Sequence, residues 1–108
     1  MAYSASHAII CASLCHLVAP ELKLSPEQAN SLSLAALTMN VSMTRLQDDL
    51  AEQLNPLSDE QRLDVKAHAD RSAQYLRELG VSDTAWLHAV AHHHDEDTQV
   101  GSLTHVLM

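Results

Sequence analysis

Apolar residues return every three to four positions through most of this chain, and nowhere does a convincing strand alternation appear. A first helix is predicted from Ser4 to Val18, with Ile9, Ile10, Leu14, Leu17 and Val18 at helical spacing and Pro20 ending it. The second starts with strong signals. Ser25 can cap, Pro26 takes the first helical position, and Gln28 can close a capping box. It runs to about Thr38. Leu32, Ala35, Ala36 and Met39 share a face, and Leu34 and Leu37 widen it, as in a nearly surrounded helix.

A short helix is predicted from Thr44 to Leu54, broken by Asn55 and Pro56. Ser58 and Gln61 repeat the capping-box pattern and open a long helix to Leu79, with Val65, Ala69, Ser72 and Leu76 inward and Gly80 at its C-terminal cap. Ser82 or Asp83 caps the next helix, which passes Trp86, Leu87 and Val90 and ends in a histidine run. Gly101 separates a last segment, Ser102 to Met108. Its Leu103, Val106 and Leu107 need something to pack on, so the pattern reads as one domain over 1–108, incomplete at its C-terminal end.

Composition narrows the function classes. With 46% hydrophobic residues, two glycines and many Ala and Leu, the chain reads as globular and all-α. A net charge of -8 disfavours nucleic-acid polymers and anionic membrane surfaces. No apolar run approaches the ~18 residues of a membrane span. Cys11 and Cys15 lie four apart, which reads as two buried thiols on one helix face in a reducing, cytoplasmic compartment. They lack the spacing of redox or zinc-knuckle motifs.

The histidines carry the candidate chemistry. His92, His93 and His94 are consecutive and are followed by Asp95, Glu96 and Asp97. His88 and His92 share a face, while His93 and His94 point roughly 100° and 200° further round, so at most two of the run enter one site. His68 lies at the border of the long helix's inner stripe, with Asp64 one turn earlier to orient it; by itself it reads as a surface or partly buried residue. The run also fits a solvated helix end, where protonated imidazoles favour the helix dipole.

In order and spacing, these elements resemble the HD superfamily of helical metal phosphohydrolases, especially the HD-GYP branch that hydrolyses cyclic di-GMP. The resemblance spans about His7 to Leu107. It rests on His7-Ala-Ile-Ile, Ser25-Pro-Glu, Pro56-Leu-Ser-Asp-Glu-Gln, Lys66-Ala-His68, and Ala89-Val-Ala-His-His-His-Asp95. It implies an HD-domain-like bundle of five or six helices. By position it makes His7 a ligand at one metal site and His68, His93 and His94 ligands at the neighbouring site or sites, with Asp95 where the family has glutamate, for a divalent ion such as Zn, Fe, Mn or Ni.

The departures from the family pattern are severe. Its His-Asp doublet falls on Met39 and Asn40, and its phosphate-holding lysine on Met43. Its Gly-Tyr-Pro motif is replaced by Glu96-Asp97-Thr98, and its later aspartate ligand would lie beyond Met108. A neutral amide cannot bridge two cations, and a thioether suits soft Cu(I) rather than hydrolytic metals. The resemblance therefore implies a degenerate, non-catalytic signalling or regulatory module that engages a protein partner or a second copy of itself, with cyclic dinucleotide binding disfavoured. The competing expectations are a metal-dependent phosphohydrolase with a partial site and a non-catalytic metal-binding domain.

Overall fold

The computed structural model describes residues 2–94, and within them every regular element is helical. Five α-helices run Tyr3–Val18 (α1), Pro26–Thr38 (α2), Thr44–Glu52 (α3), Asp59–Glu78 (α4) and Thr84–His92 (α5), with a 3-10 turn at Val41–Met43. The segment Ser102 to Met108, expected to form a last helical turn or two, lies outside the described residues, as do Asp95, Glu96 and Asp97.

Local chemistry sets the boundaries. The Ser25 hydroxyl accepts from the Gln28 amide while the Gln28 side chain accepts from the Ser25 amide, and Ser58 with Gln61 does the same for α4. Each box satisfies two otherwise orphaned N–H groups. Asp83, rather than Ser82, caps α5, accepting from the Trp86 amide at 3.1 Å. Helix α4 ends in a Schellman turn: Val81 N–H donates to Leu76 O and Gly80 N–H to Arg77 O. Gly80 sits at φ 99°, where a side chain would be strained.

Helix α2 is the centre of the packing, lying against both α1 and α5, while α4 packs on α5 and receives the 3-10 turn. The larger core joins Ala35 and Met39 of α2, Ala73 and Leu76 of α4, and Leu87, Ala89 and Val90 of α5. A second, smaller cluster joins Cys15 of α1 to Leu32 and Ala36 of α2. Each fully buried Leu or Val contributes about 1.5–3 kcal/mol. Polar clasps tie the helices together: Ser31 Oγ donates to Asp83 Oδ2 at 2.6 Å, and Trp86 Nε1 donates to Thr38 Oγ1 at 2.8 Å.

Three faces differ from the sequence pattern. In α1 the residues at helical spacing, Ile9, Ile10, Leu14 and Leu17, are exposed by 48, 58, 56 and 70%. The helix packs instead through Cys11, Ala12 and Cys15, whose small side chains let α1 approach α2 closely. In α2 the face formed by Leu32, Ala35, Ala36 and Met39 is buried as expected, but Leu37 is exposed, so the helix is not surrounded. In α4 the buried residues are His68, Ser72, Ala73 and Leu76, with Val65 and Ala69 only half-buried. The inner stripe is rotated toward a histidine.

Candidate metal centre

Helix α4 carries His68 at mid-length, and α5 delivers His93 as its C-terminal cap and His94 one residue on. His68 and His93 are 1 and 2% exposed, whereas His94 is exposed. The expectation that His68 lies at or near the surface is thus overturned. The small residues Ser72 and Ala73, one turn further along α4, leave room for α5 to close over it.

Two backbone bonds aim the buried rings. His93 Nδ1 donates to Val90 O at 2.7 Å, and His68 Nδ1 makes the equivalent bond to Val65 O. Each ring therefore uses the carbonyl three residues earlier in its own helix. A carbonyl can only accept, so each Nδ1 carries a proton and each Nε2 is left to offer a lone pair. The two Nε2 atoms face each other at 3.0 Å. Two neutral rings so fixed would oppose lone pair to lone pair, so the contact calls for a proton or a cation between them.

His94 completes the group. Its ring centroid lies 4.9 Å from that of His68 and 4.1 Å from that of His93. One ligand atom from each of the three histidines falls within 4.8 Å of the others. Zinc–imidazole bonds of 2.0–2.1 Å in a tetrahedron put nitrogens about 3.3 Å apart, close to the observed pair. Nδ1 bonded to a carbonyl and Nε2 aimed at a common point is the arrangement that fixes metal-binding histidines. The donor chemistry suits one borderline divalent ion, and the spread of up to 4.8 Å must contract for bonds of 2.0–2.1 Å to reach all three rings.

The surroundings separate the other expected residues from this triad. Asp64 does not orient His68; it pairs with Arg71 at 2.9 Å, and the Val65 carbonyl does the orienting. His92 stacks on His88, ring centroids 4.5 Å apart, and faces a groove of about 900 Å³ that Ser42, Tyr75 and Ala91 also line. His7 lies near Tyr3 and Cys11 and borders a cavity of about 60 Å³ shared with Asn40, Thr44 and Gln47. Among the described residues no acidic side chain lines that cavity, although Asp48 accepts from the Ser4 amide at its edge, and no group of three metal-ligating side chains includes His7. Met39 is packed into the main core, and Met43 borders a separate recess with Arg45, Asp64 and Arg71.

One supporting network has no motif in the sequence. Ser42 Oγ donates to His68 O at 3.0 Å, Ser72 Oγ donates to Ser42 Oγ at 2.9 Å, and Ser42 N–H donates to Ser72 Oγ at 3.1 Å. These bonds pin the 3-10 turn to α4 beside the triad. The i–3 carbonyls of His68 and His93 were likewise invisible as motifs, since any helical residue has one. Cys11 and Cys15 are free thiols, the second buried and the first half-buried. Burial pushes both thiols up from their ordinary value, and Cys11 adds to the effect at Cys15. Such thiols are weak nucleophiles.

Comparison with family models, with curated proteins and with solved structures gives no match.

Proposed function

We propose that this chain is a non-catalytic metal-binding domain of HD-like architecture, serving as a regulatory interaction module. One divalent transition metal is held by Nε2 of His68 and His93 together with His94, and water completes the shell. The observation that carries this reading is the 3.0 Å approach of two buried Nε2 atoms whose Nδ1 partners are both backbone carbonyls. A cation resolves that contact, and a net charge of -8 favours its arrival.

The HD-like part of the reading is supported by the helix order. His7 lies on α1, Met39 and Asn40 end α2, His68 is central on α4, and His93 and His94 follow α5. The same positions argue against turnover. Phosphodiester hydrolysis by this class of site needs charge to hold two metals and to screen the phosphoryl oxygens. Asn40 is neutral, and Met39 is buried among Ala35, Leu76 and Val90.

Equilibrium dialysis of tag-free protein against zinc, nickel, iron or manganese, followed by elemental analysis, tests the proposal. About one ion per chain is expected in the wild type, and less than a tenth of that in His68→Ala. Wild-type protein that takes up no ion would overturn the metal reading. Hydrolysis of a cyclic dinucleotide after loading with manganese or iron would favour the phosphohydrolase instead.

A further inference from the structure

We infer that α1 is a self-association surface, pairing with α1 of a second copy in antiparallel fashion about Ile10. The helix exposes Tyr3, Ile10 and Leu17 by 51, 58 and 70%, with Leu14, 56% exposed, beside them. Tyr3, Ile10 and Leu17 recur every seven residues, the spacing of a helix–helix seam. Ser6 and Ser13 lie within the same face. They leave hollows next to the large side chains.

Charge chooses the occupant. Helix α1 contains none of the chain's 6 basic and 14 acidic residues, in a protein of net charge -8. Two copies meeting elsewhere would bring acidic surfaces together, whereas two α1 faces meet without repulsion. The face is also self-complementary, as a two-fold contact requires. Reversal about Ile10 sets Ile10 on its own copy, Tyr3 against Leu17, and Leu14 over the hollow at Ser6. The exposed fractions leave on the order of 500 Å² of apolar surface per copy, within the range of the largest patch on a typical monomer, often a functional one, and small for a permanent dimer. The pairing is accordingly weak and concentration-dependent. It is independent of the histidine triad.

Sedimentation equilibrium of the full chain in EDTA, across a hundredfold concentration series, tests the inference without metal bridging. The mass should rise from one chain toward two. The double variant Ile10→Glu, Leu17→Glu should weaken association at least tenfold with an unchanged far-UV CD spectrum, while Leu63→Glu on the exposed side of α4 should not. Under mild oxidation Ile10→Cys should give a disulfide-linked dimer above the wild-type background, and Tyr3→Cys should not. A monomer at every concentration, as when another segment of the same chain covers α1, overturns the inference. So does a dimer indifferent to the two glutamates. Equal cross-linking at Tyr3 and Ile10 would contradict the antiparallel arrangement.

Discussion

His68 and His93 face each other Nε2 to Nε2 at 3.0 Å, although they lie 25 residues apart and on different helices. Each is turned toward the other by a carbonyl of its own helix, so the contact is prepared independently on both sides. Such an arrangement is costly without a proton or cation and favourable with one. That difference generates the first expected outcome.

Adding metal should stabilise the wild type by about 2.7 kcal/mol at a hundredfold excess over the dissociation constant, read as a rise in Tm. His68→Ala should lose this gain. The double change His68→Leu, His93→Leu removes both buried polar groups and should leave the metal-free protein as stable as the wild type, or more so. Thermal melts with EDTA and with excess zinc check all three.

Asp83 links α5 to α2 and supplies a pH dependence. Its carboxylate is held below the ordinary value of 3.8 first by the Ser31 hydroxyl and then by the Trp86 amide. A lowered folded-state value means a contribution fully present above the ordinary carboxylate range and lost as pH falls through the lower folded-state value. Asp83→Ala should therefore cost about 1–2 kcal/mol at neutral pH, as loss of a helix cap does. Urea titrations at pH 7 and pH 3 should show the gap between variant and wild type narrowing in acid.

The Ser42–Ser72 clasp should matter beyond its size. Ser72 is fully buried, and Ser72→Ala leaves the Ser42 N–H without its acceptor. The expected cost is about 1–3 kcal/mol. Because the clasp anchors to the His68 carbonyl, metal affinity should fall as well. Calorimetric zinc titration of Ser72→Ala beside Ser72→Thr would read that effect, the threonine keeping a hydroxyl.

Cys11 and Cys15 should behave as structural thiols. Burial raises both, so at pH 8 each should react with an aromatic disulfide reagent several-fold more slowly than free cysteine, and Cys15 more slowly than Cys11. Denaturant should abolish the difference.

Much of the helical layout was legible because local chemistry dictates it. Ser25 with Gln28 and Ser58 with Gln61 announce their helices, and Gly80 announces a stop, whatever surrounds them. Burial was less legible, since the choice of face is made by neighbours. Ile9, Ile10, Leu14 and Leu17 form the more apolar side of α1, yet α2 accepts the side of Cys11 and Cys15, where small residues permit close approach. For the same reason His68 looked marginal: it is buried where α5 and the 3-10 turn pack on α4.

Within the candidate site, the histidine run showed that ligands were available and that not all three could converge. It could not show the division, with His93 and His94 turned to His68 and His92 stacked on His88. Asp64 stood at a plausible orienting distance along the helix, but its carboxylate pairs with the exposed Arg71, and a backbone carbonyl takes its place. Asn40 and His7 do share a cavity, and among the described residues no acidic side chain lines it.

Long-range ¹H–¹⁵N NMR of the imidazole rings, with and without zinc, tests the central claim most directly. The expected result is Nδ1 protonated in both His68 and His93, with the Nε2 resonances of both moving on addition of one equivalent of zinc. Rings protonated at Nε2 and unmoved by zinc would contradict it.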